Sequence, residues 1–258
     1  MHACPYVAYV HLRPPVESLL RTVKLGSYAD YALCPAFQLV ALPEEMPFGA
    51  GAALMLQGFT AHYLARSVYP VGDGDTVLCH AGAGGVGQIL IQIAKAHGAL
   101  VLTTVGSPEK AAYVEEIGAD RAILYREVDF AAAVRDLTGG DGVNVVYDAV
   151  GAATWAGSID CLARRGMVVY FGGASGPVPP FDTALLTDKG SLSLARVTLR
   201  DYVTDQEEIG WRAGELFDLW RDGRLKIRIG QTYPLAEAAA AHADLAARRT
   251  TGKLLLEI

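Results

Sequence analysis

Cysteine is scarce in this chain: Cys4, Cys34, Cys79 and Cys161 are the four present, and no two form a C-x-x-C pair. Thiols scattered in this way exclude a zinc knuckle or a disulfide framework and point to a reducing compartment, read as the cytoplasm. The six histidines, His2, His11, His62, His80, His97 and His242, make no H-E-x-x-H or similar ligand cluster. No nucleophile elbow anchors a Ser/His/Asp or Cys/His arrangement either. Long apolar runs are missing: the longest, around Ala50 to Phe59, is broken by Gln57 and Gly58 and is too short for a membrane span. The N-terminus has no basic segment before an apolar one, and Pro5, Pro14 and Pro15 interrupt it, which argues against a signal peptide. Positive charge is also in deficit, with 22 Lys and Arg against 28 Asp and Glu and a net charge of -6. That balance, with no basic stripe interleaved with aromatics, argues against a nucleic-acid partner. What is abundant is apolar material, 52% of 258 residues, enough for one large domain or two modest ones.

The chain is organised around Thr76-Val77-Leu78-Cys79-His80, a glycine-dense turn, and the segment Gln88 to Lys95. The first reads as a short apolar strand. The last carries Ile89, Leu90, Ile93 and Ala94 at helical spacing. Between them Gly82, Gly84, Gly85 and Gly87 fit G-x-G-x-x-G. Such a turn brings backbone close to a pyrophosphate and aims free N–H groups of the helix at it. A glycine pattern alone also serves as a plain strand–helix turn; the flanking strand and helix supply the context the dinucleotide reading needs.

From Val71 onward strands alternate with helices. Strands are expected at 76–80, 100–105, 121–124, 143–148, 167–171 and 191–194, and helices at 85–97, 108–116, 128–138, 152–163 and 182–188. This order calls for an α/β fold with a doubly wound parallel sheet of the Rossmann type. Before it, Tyr6 to Val10 reads as a strand, Val16 to Val23 as a short helix, Gly26 to Leu33 as a strand, and Phe37 to Leu42 as an apolar segment. Phe48 to Arg66 reads as a helix with a break at Gly58. After the sheet come an amphipathic helix over 201–222, a helix over 235–247 and a strand at Leu254-Leu255-Leu256.

The end of the second sheet strand, about 20 residues past the glycines, selects between the two dinucleotides. There the chain has Thr103-Thr104-Val105-Gly106-Ser107-Pro108-Glu109-Lys110, with no carboxylate at the strand tip. Ser107 as a hydrogen-bond donor and Lys110 as a cation favour a 2′-phosphate, hence NADPH. The alternative is a helix N-cap and a solvated surface charge.

Leu56-Gln57-Gly58-Phe59-Thr60-Ala61-His62-Tyr63-Leu64, His80 through Gly87, Val146 through Gly151, Arg165-Gly166, Phe171 through Gly176 and Arg248 through Lys253 together resemble the zinc-free medium-chain dehydrogenases/reductases. Within them the chain is most similar to the zeta-crystallin-like NADPH:quinone oxidoreductases. The resemblance implies a partial GroES-like β-rich catalytic domain with a linker helix over 1–58, an NADP(H)-binding domain over 59–195 and a return to the catalytic domain over 196–258. It implies that most of the barrel-like segment before Gly26 is missing, with Val7-Ala8-Tyr9 its end and Leu12 to Leu25 an insertion.

It further implies that Thr60 and Tyr63 line the nicotinamide cleft, and that Gly84, Gly85, Val86 and Gly87 hold the pyrophosphate. Ser107, Lys110, Tyr125 and Arg248 would surround the 2′-phosphate. Val150 and Gly151 would bound the nicotinamide ribose, and Phe171, Gly172 and Gly173 would meet the carboxamide. Tyr125 as a packing aromatic and Arg248 as a complement to a helix dipole are the structural alternatives. Zinc-dependent relatives place a Cys or Asp near Leu56-Gln57 and none stands here, so no metal is expected. The implied activity is hydride transfer from NADPH to a quinone or related conjugated carbonyl. An enone or enoyl reductase and a non-catalytic, crystallin-like NADPH-binding protein are the competing readings. The resemblance also implies a homodimer joined through the sheet edge at Ser191 to Leu194.

Overall fold

Val and Leu crowd the short segments that become strands, and Gly or Pro punctuates the helices between them. The computed structural model describes residues 19–21, 28–29 and 35–257. In chain order the elements are β1 (Leu19–Arg21), β2 (Leu39–Ala41), α1 (Phe48–Tyr63), β3 (Thr76–His80), α2 (Gly85–Ala96), β4 (Leu100–Val105), α3 (Pro108–Glu116), β5 (Arg121–Leu124) and α4 (Phe130–Leu137). They continue as β6 (Val143–Asp148), α5 (Trp155–Asp160), β7 (Leu162–Tyr170), α6 (Ala184–Asp188), β8 (Ser193–Arg196), α7 (Gln206–Arg221), β9 (Ile229–Pro234), α8 (Ala238–Ala246) and β10 (Lys253–Glu257). The described residues fall into two compact units. One takes those up to Thr60, Gly84–Ile89 and those from Leu199 onward; the other takes Ala61–Ala83 and Leu90–Thr198.

The second unit holds a six-stranded parallel sheet in the order β5-β4-β3-β6-β7-β8. Counted from β3 this is the doubly wound order 3-2-1-4-5-6, whose direction of winding reverses between β3 and β6. Strands in such a sheet are covered on both faces, which is why β3, β4 and β6 read as nearly continuous apolar runs. Leu78, Leu102, Val146 and Val168 from four neighbouring strands, with Val134 and Ile159 from α4 and α5, form its core.

The first unit packs α7 against α1 and β2. Gly58 is the point of closest approach: a Cβ there would stand 3.1 Å from both Leu216 Cδ1 and Leu54 Cδ2. Arg212 on α7 is fully buried, its Nε donating to the Tyr202 carbonyl at 2.7 Å while its guanidinium stacks near Trp211 and Tyr202. A parallel pair, β9 and β10, closes the unit over Tyr233, Ala241, Leu254 and Leu256.

Several expectations are corrected. Residues 19–21, expected inside a short helix, are a strand paired antiparallel with β2; cross-strand pairing overrides their helical spacing. Tyr28 and Ala29, expected in a strand, form a bend, and the rest of 26–33 lies outside the described residues except for those two. Gly58 does not break its helix: α1 is continuous, because the glycine is there for proximity to α7 and not for backbone freedom. The irregularity comes later, as a π-helical turn over Leu64–Val68. Tyr69 N–H donates to the Leu64 carbonyl, and the buried Tyr147 hydroxyl donates to the same carbonyl at 3.1 Å. The helix expected over 152–163 is only Trp155–Asp160, and β7 begins at Leu162 with a bulge through Arg165 before its register resumes at Met167. The last sheet strand is Ser193–Arg196, two residues later than the alternation suggests, and β9 had no expectation at all. The strand expected at Tyr6 to Val10 and the segment Val7-Ala8-Tyr9 lie outside the described residues.

Candidate functional site

The turn after β3 begins with a left-handed residue, Ala81, at φ 57°. Its N–H and that of Gly82 face β4: Ala81 donates to Thr104 Oγ1 at 3.4 Å and Gly82 to the Thr104 carbonyl at 3.3 Å. No side chain fits at Gly82, where a Cβ would fall 2.0 Å from Thr103 Oγ1. Gly84, Gly85 and Val86 remain partly exposed, so the first turn of α2 presents backbone N–H groups outward. Gly87 is buried.

Gln57 lies against this turn, within the same unit: a Cβ on Gly85 would meet its Cγ at 2.9 Å. Among the described residues, Gln57 Oε1 is the buried side-chain oxygen without a hydrogen-bond partner. An orphan acceptor of this kind costs roughly 1–3 kcal/mol unless satisfied. Its position beside the glycine turn fits a ligand that brings a donor there. Thr60, one helical turn on, is buried and donates from Oγ1 to the Leu56 carbonyl at 2.6 Å, leaving its lone pairs as acceptors. Tyr63 ends α1 and is fully buried.

In the other unit, the tip of β4 gathers Ser107, Lys110 and Tyr125. Ser107 is the N-cap of α3, its Oγ accepting from Lys110 N–H at 3.4 Å, with Pro108 following. Glu109 turns to Ser107: that hydroxyl, and then its own backbone N–H, hold its carboxyl below the usual range. The Lys110 ammonium is pushed down by partial burial, with Arg126 adding repulsion and Tyr125 opposing it. Arg126 also reaches this corner, since a Cβ on Gly106 would lie 3.1 Å from Tyr125 Oη and 3.5 Å from Arg126 Nε. Sequence reasoning passed over Arg126, although its place directly after Tyr125 was a usable signal. Arg248 belongs to the first unit. It follows α8 at φ 57°, its N–H donating to the Leu245 carbonyl at 3.1 Å.

The loops after β6 and β7 interlock. Phe171 N–H donates to the Asp148 carbonyl at 3.0 Å, Ala174 N–H to Ala149 at 3.1 Å and Ser175 N–H to Val150 at 2.8 Å. A Cβ on Gly172 would lie 2.5 Å from the Ala149 carbonyl oxygen, and one on Gly151 2.3 Å from that of Gly176. Val150, Gly151, Phe171, Gly172 and Gly173 are therefore brought together as one backbone surface at the carboxyl ends of β6 and β7. That is where a doubly wound sheet binds its ligands. Among the described residues no three His, Cys, Asp or Glu side chains cluster as a metal site requires.

The chain is similar to several known proteins. The Zinc-binding dehydrogenase family matches over residues 85–211. A quinone oxidoreductase of Pseudomonas aeruginosa is 46% identical over 235 residues, spanning 91% of this chain and 72% of that protein. A 2-haloacrylate reductase of a Burkholderia species is 41% identical over 235 residues, spanning 90% of this chain and 71% of that one. The crystal structure of Escherichia coli quinone oxidoreductase complexed with NADPH superposes with a TM-score of 0.92 at 39% identity, covering 96% of this chain and 77% of that one.

Proposed function

The chain belongs to the quinone oxidoreductase family of the medium-chain dehydrogenases/reductases, and from that premise we propose that it reduces a quinone or related conjugated carbonyl with NADPH. The observation that carries the cofactor choice is the tip of β4, where Lys110 and Arg126 gather beside Ser107 and the carboxylate in reach, Glu109, is already engaged by the Ser107 hydroxyl and its own backbone N–H. Lys110, Tyr125 and Arg248 hold the 2′-phosphate with Ser107. Gly84 to Gly87 hold the pyrophosphate through backbone N–H groups, and Val150, Gly151 and Phe171 to Gly173 hold the nicotinamide half. When bound, the dihydronicotinamide supplies the hydride. The protein orients the reactants and excludes water, which is its share of such a reaction. Thr60 lines the acceptor cleft, the fully buried Tyr63 backs it from behind, and Gln57 supplies an acceptor for a ligand hydroxyl or amide.

The reading is zinc-free, because Gln57 is a neutral amide where a zinc ligand would be a thiolate or carboxylate. Residues 59–195 serve as the cofactor domain and 1–58 with 196–258 as the catalytic part; the division into two units supports these bounds except at Gly84–Ile89, which group with the first unit. The free, buried thiols of Cys79 and Cys161 suit a reducing cytoplasm. β8 pairs only with β7 among the described residues, and an edge strand of this kind is covered by a second copy in a homodimer.

The likeness to a 2-haloacrylate reductase favours a second reading, reduction of an activated alkene. Steady-state turnover of 1,4-benzoquinone with NADPH and with NADH, set beside 2-chloroacrylate and a simple enone, tests both. Turnover of quinone with NADPH is expected. Turnover of the alkenes alone would select the second reading, and NADPH binding with no turnover of any acceptor would leave a binding protein.

A further inference from the structure

The two strands flanking the reversal of the sheet end in His80 and Asp148, both fully buried. Asp148 Oδ1 accepts from Val150 N–H at 2.7 Å and Gly151 N–H at 3.0 Å. Oδ2 accepts from Thr154 Oγ1 and Ser158 Oγ, each at 2.7 Å. Ser158 Oγ is also 3.0 Å from His80 Nε2, and His80 Nδ1 is 2.9 Å from Thr104 Oγ1. Thr104 Oγ1 in turn faces Ala81 N–H. No link in this chain touches solvent at its centre, and nothing in the proposed chemistry uses His80 or Asp148.

The direction of each bond follows from what each group can do. Each oxygen of Asp148 takes two donors, so Ser158 spends its proton on Asp148 and must accept from His80. His80 therefore carries its proton on Nε2. Its bare Nδ1 accepts the Thr104 hydroxyl, whose oxygen is left to receive Ala81 N–H. Burial lowers the His80 pKa, with the Asp148 charge opposing, which agrees with a neutral ring. Phe130 covers the ring edge-on at 4.9 Å.

The two ends of the chain are the two turns that a dinucleotide must bridge. Ala81 opens the glycine turn in a left-handed conformation at φ 57°, and Gly151 sits at φ 88° in the turn after β6. We infer that Asp148 is a positioning residue and that the chain Asp148–Ser158–His80–Thr104 fixes the pyrophosphate turn and the nicotinamide-side turn as one unit. This rests on the NADPH reading above, because the turns matter together only if one ligand spans them.

The test uses the full chain with Asp148→Asn and Ser158→Ala. Asparagine keeps the acceptor toward Val150 and Gly151 but offers N–H groups to Thr154 and Ser158. Ser158 then accepts from Asn, donates to His80 Nε2, and drives the ring proton to Nδ1. With ¹⁵N-histidine labelling, wild type is expected to show His80 as the neutral Nε2–H tautomer at pH 7, and Asp148→Asn as the Nδ1–H tautomer. Both variants are expected to weaken NADPH binding at least tenfold by fluorescence titration, and to raise the NADPH KM while the acceptor KM stays within twofold. Ser158→Ala removes only a hydroxyl and carries the test if Asp148→Asn does not fold. Failure of wild type to bind NADPH would overturn the underlying reading. Wild-type binding with both variants within twofold, or an Nδ1–H or cationic His80 in wild type, would overturn the positioning inference alone.

Discussion

Gly82 is the position where a single methyl should do most damage. An alanine Cβ there would stand 2.0 Å from Thr103 Oγ1, more than an ångström inside ordinary contact, and 3.0 Å from both Thr103 Cβ and Ile91 Cδ1. Thr103 has no exposure and its hydroxyl donates to the Cys79 carbonyl at 2.7 Å, so it cannot swing aside without losing that bond. Overpacking costs about 1–3 kcal/mol and the lost hydrogen bond about 1 kcal/mol. The lower entropy of an unfolded alanine returns about 0.4–1 kcal/mol. Gly82→Ala should therefore lose ~1–3.5 kcal/mol in urea unfolding followed by circular dichroism. Thr103→Ala alone should lose ~1–2 kcal/mol, for the hydrogen bond and the small void. The double variant should resemble Thr103→Ala, because the clashing oxygen is gone and the remaining 3.0 Å contacts need only a small shift. The coupling between the two sites would then equal the Gly82→Ala loss, ~1–3.5 kcal/mol of relief. Gly82→Ala as stable as wild type, or losses that simply add, would refute the packing argument and return Gly82 to a purely cofactor-facing role.

Lys110→Ala should raise the NADPH KM about 10–100-fold, the equivalent of one or two charge-assisted bonds, and leave the NADH KM unchanged; equal losses for both cofactors would contradict the phosphate assignment. Burial pushes the Cys79 and Cys161 thiols up to about 12, so in a Cys4→Ser/Cys34→Ser variant neither should label with a thiol reagent at pH 8 until the chain unfolds. Rapid labelling of the native variant would show that these thiols open locally. His80 is held below its ordinary 6.5 by burial, so under acid conditions the unfolded chain takes up a proton the folded one refuses. Stability should be intact above pH 6.5 and fall below it, by at most about 1.4 kcal/mol per pH unit for this one proton. A His80→Gln variant should show a shallower fall; parallel curves would place the acid sensitivity elsewhere.

The sequence by itself determined what local chemistry and periodicity control. Five of the expected sheet strands align with β3 to β7, and the glycine turn, Pro108 and Ser107 at the start of α3 stand where they were read. Those features are set by residues within a few positions of one another. Only the tertiary structure decided the rest. Gly58 looked like a helix breaker because the Leu216 side chain that demands its small size lies 158 positions away in the sequence. The strand at 19–21 and β9 depend on partners distant in sequence, and pairing, not propensity, makes them strands, whereas β10 was legible as Leu254-Leu255-Leu256. The His80–Asp148 chain was invisible for the same reason, whereas Arg126 stood in view directly after Tyr125. A polar side chain at a strand end has no readable role until the sheet places its neighbours within hydrogen-bond distance. The doubly wound order does this for His80 and Asp148 by making their strands adjacent across 68 residues of chain.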